Sequence, residues 1–137
     1  TLNHNIETVQ RVFKFVRAKG NYKLSLDLLL KAKELNNYSV TKSGLMVGLG
    51  ENWDEIIATM NDLRSADCDL LSIGQYIKPT PKHVNVEKWY KPEEFNELRD
   101  IGLKLGFKGV VSGPLVRSSY KADEQYYQAK GLIPINQ

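Results

Sequence analysis

The strongest constraint on the fold is an alternation of short apolar segments with amphipathic helical segments. Three apolar runs have the length of a strand: "SGLMVGLG" at 43–50, "CDLLSIGQY" at 68–76 and "GFKGVVSGPLV" at 106–116. Continuous apolar runs of this length are typical of parallel strands that are buried on both faces. Strands and helices that alternate in this way join through right-handed crossovers, so the pattern predicts a parallel sheet covered by helices.

Helical spacing of apolar residues fills the intervals between these strands. It predicts helices within 7–16 and 24–35, another in the segment after Glu51, and another that starts at Pro92. A last helix is expected between residues 122 and 130. The alternation of strands and helices predicts the fold class α/β. Three clear strands suit half of a barrel or open sheet better than a complete one.

The composition excludes several classes of protein. With 42% hydrophobic and 26% charged residues, the 137-residue chain is predicted to form one compact domain. No apolar run is long enough for a membrane helix and the start does not resemble a signal peptide, so a cytosolic compartment is the default. The net charge of +3 comes from interspersed charges, which argues against nucleic acid and leaves an acidic protein partner open.

A single cysteine, Cys68, limits the chemistry of the chain. By itself it forms neither an internal disulfide nor a metal site with several thiolates. The chain also starts abruptly at Thr1, with polar, turn-favouring residues and no leading methionine. We therefore expect a piece of a longer protein.

In parallel α/β folds the functional site lies at the carboxyl ends of the strands. Here these ends are "GLGE" at 48–51, "GQYIKPT" at 74–80 and "GPLVRSSY" at 113–120, together with "NHNIE" at 3–7 if a strand precedes it. Each is polar or contains glycine, so together they predict a shared site. The alternative for any one glycine is a simple turn requirement.

The same segments resemble one protein family. The motifs "HNIETV", "TKSGLMVGLGE", "LSIGQYIKPTPKH", "PEEF", "LGF" and "SGPLVRSSYKA" occur in this order along the chain. In this combination and at this spacing they are similar to lipoyl synthases, which are members of the radical S-adenosylmethionine superfamily. The resemblance runs from residue 3 to about residue 122.

The resemblance implies a fold and a division of the chain. Residues 1–112 are expected to be the C-terminal half of a partial (β/α)6 TIM-like barrel with parallel strands. Residues 113–137 are expected to form a C-terminal extension whose RSSY motif closes the active site.

The resemblance also implies a reaction, the insertion of two sulfur atoms into an octanoyl chain on a lysine of a lipoyl carrier domain or H protein. One 4Fe-4S cluster cleaves S-adenosylmethionine to a radical that abstracts hydrogen, and an auxiliary 4Fe-4S cluster supplies the sulfur. The resemblance also implies an electron donor such as ferredoxin or flavodoxin. It implies neither a nucleic-acid partner nor association with a membrane. The expected location is the cytoplasm, or the mitochondrion in a eukaryote.

One departure from the family is large. The two cysteine triplets that lipoyl synthases use for their clusters are missing, and they would lie upstream of Thr1. We therefore expect the activity to belong to a longer parent protein, and this chain alone to be inactive.

The resemblance gives the RSSY motif at 117–120 a role at the auxiliary cluster. It implies that Ser119 binds iron through its hydroxyl oxygen, a harder ligand than a thiolate, and that Arg117 neutralises charge near the cluster or substrate. Ser118 is the neighbouring choice, since adjacent side chains of an extended segment face opposite ways. Alternatively, both serines cap the following helix and Arg117 is a solvated surface residue.

The segment "GLMVGLGE" at 44–51 resembles the superfamily's pattern for contact with the adenosyl group. Gly44 and Gly48 would let a flat ligand approach the backbone, Met46 would pack against adenine, and Glu51 completes the pattern. The alternative is a buried core strand in which Met46 only fills space.

Two further strand ends carry polar candidates. Asn5, with Glu7 behind it, is expected to hydrogen-bond the ribose or the methionine part of the cofactor, although capping of the next helix competes. Gln75 and Tyr76 are expected to read the adenine edge or to wall off the substrate channel. Core packing of Tyr76 with a bonded hydroxyl is the equal alternative.

Two rival interpretations remain open. One is a radical sulfur-inserting enzyme similar to biotin synthase, which "RSSY" and "GQYIKPT" disfavour. The other is a non-catalytic (β/α) interaction module that completes a site in another polypeptide. The missing cysteines keep this second interpretation possible.

Overall fold

A computed structural model describes residues 2–16 and 21–116 of the chain. These residues form one layer of parallel strands and one of helices. In chain order, the elements are β1 (Leu2–Asn3), α1 (Gln10–Val16), α2 (Tyr22–Leu35), β2 (Thr41–Val47), α3 (Trp53–Ser65), β3 (Leu70–Gln75), α4 (Pro92–Leu105) and β4 (Gly109–Gly113).

The strands lie side by side in the order β1-β2-β3-β4, and every neighbouring pair is parallel. All four strands therefore end at the same edge of the sheet, which we call the carboxyl edge. The opposite edge, where the strands begin, is the amino edge. The prediction of an α/β fold with parallel strands is confirmed, and the architecture is consistent with part of a TIM-like barrel.

One face of the sheet packs against the helices. Leu45 and Ile73 are paired across β2 and β3, and both are completely buried on this helix face. Next to them, the Ser112 hydroxyl donates a 2.8 Å hydrogen bond to the Phe95 carbonyl of α4. Because strand side chains alternate between faces, the opposite face carries the intervening residues and is called the inner face.

The helices begin and end where the sequence supplies the caps. At the start of α3, Asn52 and Glu55 form a capping box through two 2.9 Å hydrogen bonds. Pro92 occupies the first turn of α4, and Gly106 ends that helix with a φ of 110°. Among the described helices, none is long and apolar enough to cross a membrane.

The structure adds one strand to the sequence prediction and shifts several boundaries. Helix α2 begins at Tyr22 instead of Leu24, and β3 and β4 are shorter than the apolar runs at 68–76 and 106–116. Strand β1 was not among the three apolar runs, because two residues are too short to show a period. The predicted helix from residue 7 starts at Gln10 instead, since Glu7 has a φ of 79° and pairs with β2. The predicted strand at 43–50 ends at Val47, because Gly48 turns the chain with a φ of 109°.

The segment after β4 is described only as far as Val116. The predicted helix between residues 122 and 130 and most of the predicted C-terminal extension, 113–137, lie outside the described residues. The division of the chain at residue 113 therefore stays a prediction.

Candidate functional site

The described parts of the polar segments predicted to share a site lie together at the carboxyl edge. The backbone of Glu7 joins β2, with a 3.0 Å hydrogen bond from its N–H to the Gly44 carbonyl. A second bond of 2.8 Å runs from the Met46 N–H to the Glu7 carbonyl. The segment that follows β1 therefore lies directly beside the end of β2.

Small residues form part of the inner face near this edge. Gly44 pairs with Ser72, and Met46 pairs with Gly74, in the register of β2 and β3. A Cβ at position 44 would lie 2.7 Å from Asn5 Oδ1 and 3.1 Å from Ser72 Oγ. Glycine at position 44 therefore makes room for an amide and a hydroxyl, which lie directly over its backbone.

Gly74 is covered from a different direction. A Cβ at this position would overlap the carbonyl of Val116, in the segment that turns back after β4. Val116 is the residue directly before Arg117, so the chain reaches the carboxyl edge just before the RSSY motif. Arg117, Ser118 and Ser119 themselves lie outside the described residues.

Glu51 organises the turn that follows β2. Its carboxylate accepts a 2.8 Å hydrogen bond from the Gly48 N–H and a 2.9 Å bond from the Leu49 N–H. Tyr90 donates a third bond of 2.6 Å to the same carboxylate. A buried carboxylate therefore closes the turn. The two N–H groups and the phenol that donate these three hydrogen bonds are all neutral.

The Tyr90 phenol is held in its protonated form. Burial, followed by the hydrogen bond and the negative charge of Glu51, raises the pKa of Tyr90 well above its ordinary value. The phenol thus stays a hydrogen-bond donor to Glu51 at neutral pH. This contact links the turn after β2 to the loop after β3.

The side chain of Gln75 fixes the same loop. Its amide nitrogen donates to the Tyr76 carbonyl at 3.0 Å and to the Lys88 carbonyl at 2.9 Å. Its amide oxygen accepts from the Tyr90 N–H at 2.9 Å. A Cβ at Gly48 would overlap the Gln75 amide nitrogen, so this glycine makes room for the contact.

Tyr76 and Met46 are both buried, at 1% and 4% exposure. The Tyr76 hydroxyl donates a 2.6 Å hydrogen bond to the Val84 carbonyl. Tyr76 therefore packs in the hydrophobic core with a bonded hydroxyl, which is the second of the two alternatives given for it above. Met46 also belongs to the hydrophobic core. Contact of either side chain with a cofactor stays a prediction, as do the binding roles of Asn5, Glu7, Gly44, Gly48, Glu51 and Gln75.

Arg11 is a site residue that the sequence did not reveal. Its guanidinium donates to the Gly50 carbonyl at 2.7 Å and to both oxygens of Glu55 at 2.7 and 2.9 Å. The hydrogen bond from Arg11 lowers the pKa of Glu55. Arg11 thus supports the turn after β2 from the helix side, through a contact between residues 39 positions apart.

Ser72 and Tyr90 were also missed. Ser72 alternates with the apolar Leu71 and Ile73 in a buried strand, so a period of two marks it as the residue on the other face. That signal was present in the sequence. No comparable local signal connects Tyr90 with Glu51, because the two residues are 39 positions apart.

The described residues contain no group of three or more His, Cys, Asp or Glu side chains that could hold a metal ion. Cys68 is buried next to the amino edge, and burial raises the pKa of its thiol to about 11. An iron–sulfur cluster therefore does not fit the described residues. A polar organic ligand fits better, because the Asn5 amide and the Ser72 hydroxyl lie over Gly44 on the inner face and offer hydrogen-bond donors and acceptors.

Comparison with known proteins finds curated relatives that match most of this chain. No protein-family model matches the chain. Curated lipoyl synthases do match it: the protein of Caldanaerobacter subterraneus subsp. tengcongensis is 54% identical over 130 residues, that of Halalkalibacterium halodurans 55% over 129, and that of Geobacillus kaustophilus 56% over 128. These alignments cover 93–95% of this chain and 43–46% of each relative. The resemblance drawn from the motifs is confirmed, and the chain spans less than half the length of these relatives.

Proposed function

We propose that this chain is the C-terminal half of a lipoyl synthase and supplies part of its S-adenosylmethionine pocket. The observation that carries the proposal is the 54% identity to a lipoyl synthase over 95% of the chain. The carboxyl edge supports it, because the described ends of three family motifs, at Glu7, Gly48 and Gln75, lie together there with Val116. The parent enzyme inserts two sulfur atoms into octanoyl groups bound to a carrier protein.

The small inner-face residues would receive the nucleoside. Gly44 leaves room for the Asn5 amide, which would offer a donor and an acceptor to ribose hydroxyls. Met46, beside Gly44 on the same strand, offers a polarisable thioether to adenine. When bound, S-adenosylmethionine supplies the radical that removes hydrogen from the octanoyl chain.

The neighbouring residues hold the walls of this pocket. Glu51 keeps the turn that contains Gly48 in one conformation through its two bonds to backbone N–H groups. Gln75 and Tyr76 anchor the loop after β3, which closes the pocket from the side of the next strand. Glu7 keeps the Asn5 segment against β2 through its backbone. A fixed wall of this kind limits access of water to a reactive radical.

The iron–sulfur chemistry requires residues beyond those described. Both 4Fe-4S clusters would take their cysteine ligands from another part of the parent protein, because Cys68 is the single cysteine of this chain. Ser119 would complete the auxiliary cluster through its hydroxyl oxygen, and Arg117 would balance negative charge beside it. The chain alone is then inactive.

The partners follow from the same proposal. The octanoyl substrate arrives on a lipoyl carrier domain or H protein, and a ferredoxin or flavodoxin delivers electrons. The parent enzyme works in the cytoplasm, or in the mitochondrion if the organism is a eukaryote.

The test uses the full-length protein prepared without oxygen. Its iron and sulfide content should correspond to two 4Fe-4S clusters, and it should convert an octanoylated carrier domain to the lipoyl form. Ser119→Ala should lower turnover at least about tenfold and change the spectrum of the auxiliary cluster. Ser118→Ala is the matched control and should leave both unchanged.

Two outcomes would contradict parts of this proposal. Absence of clusters and of lipoyl product in the full-length protein would remove the enzymatic function. An unchanged cluster spectrum and turnover in Ser119→Ala would remove iron binding by that serine while leaving the enzyme assignment intact.

A further inference from the structure

The loop between β3 and α4 is unusually long. Residues 77–91, which we call the mouth loop, contain neither helix nor strand and lie at the carboxyl edge. Loops of this length without regular structure are uncommon in compact domains and usually serve a function. The mouth loop contacts the site residues, but most of its length faces outward.

Hydrogen bonds from the strand ends hold the mouth loop in one conformation. Gln75 binds the Lys88 carbonyl and the Tyr90 N–H, while Tyr76 binds the Val84 carbonyl. The Glu87 N–H donates a further bond of 2.8 Å to the Gly48 carbonyl. The loop is therefore a pre-formed surface, so a partner that binds it has less conformational entropy to remove.

This ordered loop exposes apolar side chains. Trp89 is 64% exposed, Ile77 is 45% exposed and Val84 is 42% exposed. Each is anchored close by: Ile77 follows Tyr76 in sequence, Val84 is bonded to Tyr76, and Trp89 stands between two residues bonded to Gln75. Tryptophan is the side chain most enriched among residues that dominate protein interfaces, so its exposure on a fixed loop indicates a contact surface.

The charge of the mouth loop is predominantly positive. It contains Lys78, Lys82, Lys88 and Lys91 against one acidic residue, Glu87. Lys88 forms a 2.9 Å ion pair with Glu94. Within the described part of the chain, the other three lysines have no carboxylate within ion-pair distance. Exposed lysines around apolar groups attract a partner that presents carboxylates.

We propose that the mouth loop is the docking surface for the folded carrier domain, and that it binds an acidic surface of that domain around a small apolar patch. This inference rests on the proposed function, which makes an octanoylated domain the substrate. The reacting chain is attached to that domain, so the domain must rest beside the carboxyl edge while the chain enters the pocket. Trp89 supplies the apolar contact, and Lys82 and Lys91 supply the charge.

The proposal separates docking from chemistry, because a short octanoyl-lysine peptide carries the reacting chain but lacks the folded surface that would contact the exposed side chains of the loop. The experiment therefore compares two substrates of the full-length protein: an octanoylated carrier domain and a short octanoyl-lysine peptide. Binding of the domain is titrated directly to obtain a Kd, and turnover of both substrates is measured separately.

Trp89→Ala should weaken binding of the domain about tenfold or more. Lys82→Glu should weaken it about threefold and reduce the dependence of Kd on salt. Both variants should convert the peptide at the wild-type rate. The matched controls are Leu103→Ala and Lys104→Glu at the far end of α4, whose exposed side chains lie near the amino edge. They should leave the Kd for the domain unchanged.

The possible results distinguish docking at the mouth loop from a packing role of the loop and from failure of the proposed function. An unchanged Kd in Trp89→Ala and Lys82→Glu would overturn docking at the mouth loop. Equal losses with domain and peptide would also overturn it, and would assign the loop to packing against the rest of the parent protein. Normal binding without lipoyl product from the wild type would remove the proposed function and leave the docking surface standing.

Discussion

The two edges of the sheet each bury a carboxylate, but they stabilise it in opposite ways. At the amino edge, Asp69 lies 2.7 Å from Lys33 and 3.7 Å from Lys108 and accepts a hydrogen bond from the Thr41 N–H. At the carboxyl edge, Glu51 accepts its three hydrogen bonds from two backbone N–H groups and one phenol.

This difference separates stability from function along the strands. The Asp69 cluster joins α2, β2, β3 and the residue before β4, so it ties together the elements at the amino edge. The Glu51 cluster instead shapes a turn of glycines beside the small residues of the inner face. The amino edge therefore joins the surrounding elements through ion pairs, while the carboxyl edge fixes the turns that frame the candidate site.

The largest expected effect comes from breaking the ion pair at the amino edge. Asp69→Asn leaves the Lys33 ammonium, whose side chain is 9% exposed, without its partner charge. This should lower the free energy of unfolding of the full-length protein by about 3 kcal/mol. Urea denaturation measures the loss, and turnover per folded molecule should remain near the wild-type value.

The same pair predicts a pH dependence. Burial alone would raise the pKa of Asp69, but the hydrogen bonds from Lys33 and the Thr41 N–H and the charge of Lys33 outweigh it and hold that pKa below its ordinary value. The stabilisation is therefore complete above the unfolded-state pKa and is lost as the pH falls through the lower folded-state pKa. The stability gap between wild type and Asp69→Asn should close in this acid range. A gap that stays constant down to about pH 2 would contradict the ion-pair explanation.

A smaller loss of stability is expected when Gly74 at the carboxyl edge is replaced by alanine, and Gly109 at the amino edge is its control. Gly74→Ala places a methyl group against the Val116 carbonyl and should cost about 2 kcal/mol of unfolding free energy, with a loss of S-adenosylmethionine binding. Gly109→Ala at the amino edge meets only the flexible end of Leu70, at 3.2 Å, and should change stability by less than about 0.5 kcal/mol. Equal effects at both positions would show that the close contact between Gly74 and Val116 does not constrain the carboxyl edge.

A smaller effect than that of Gly74→Ala is expected from the loss of one phenol hydroxyl. Tyr90→Phe removes one hydrogen bond to Glu51 and should cost about 1 kcal/mol of unfolding free energy, because the two backbone donors remain. Tyr22→Phe is the matched control, since Tyr22 donates a 2.7 Å bond to Asp62 in the helix layer. Both variants should lose similar stability, and only Tyr90→Phe should raise the Kd for S-adenosylmethionine. A rise in both would remove the special role of the Glu51 turn.

Local sequence signals predicted the regular elements well. The apolar runs gave β2, β3 and β4, and Pro92 with Gly106 delimited α4, because periodicity and capping depend on neighbouring residues. They did not reveal the two-residue β1 or the positive φ of Glu7. Glu7 adopts that conformation while pairing with β2, a contact that no local pattern contains.

By itself, the sequence determined the α/β class, the strand ends that carry polar residues and the resemblance to lipoyl synthases, because these depend on residue order and spacing. Only the tertiary structure decided that Arg11 supports Gly50, that Tyr90 binds Glu51, and that Gln75 fixes the mouth loop. The first two contacts join residues 39 positions apart, and each depends on the packing of several elements at once. Such contacts form only when the sheet brings its strand ends to one edge.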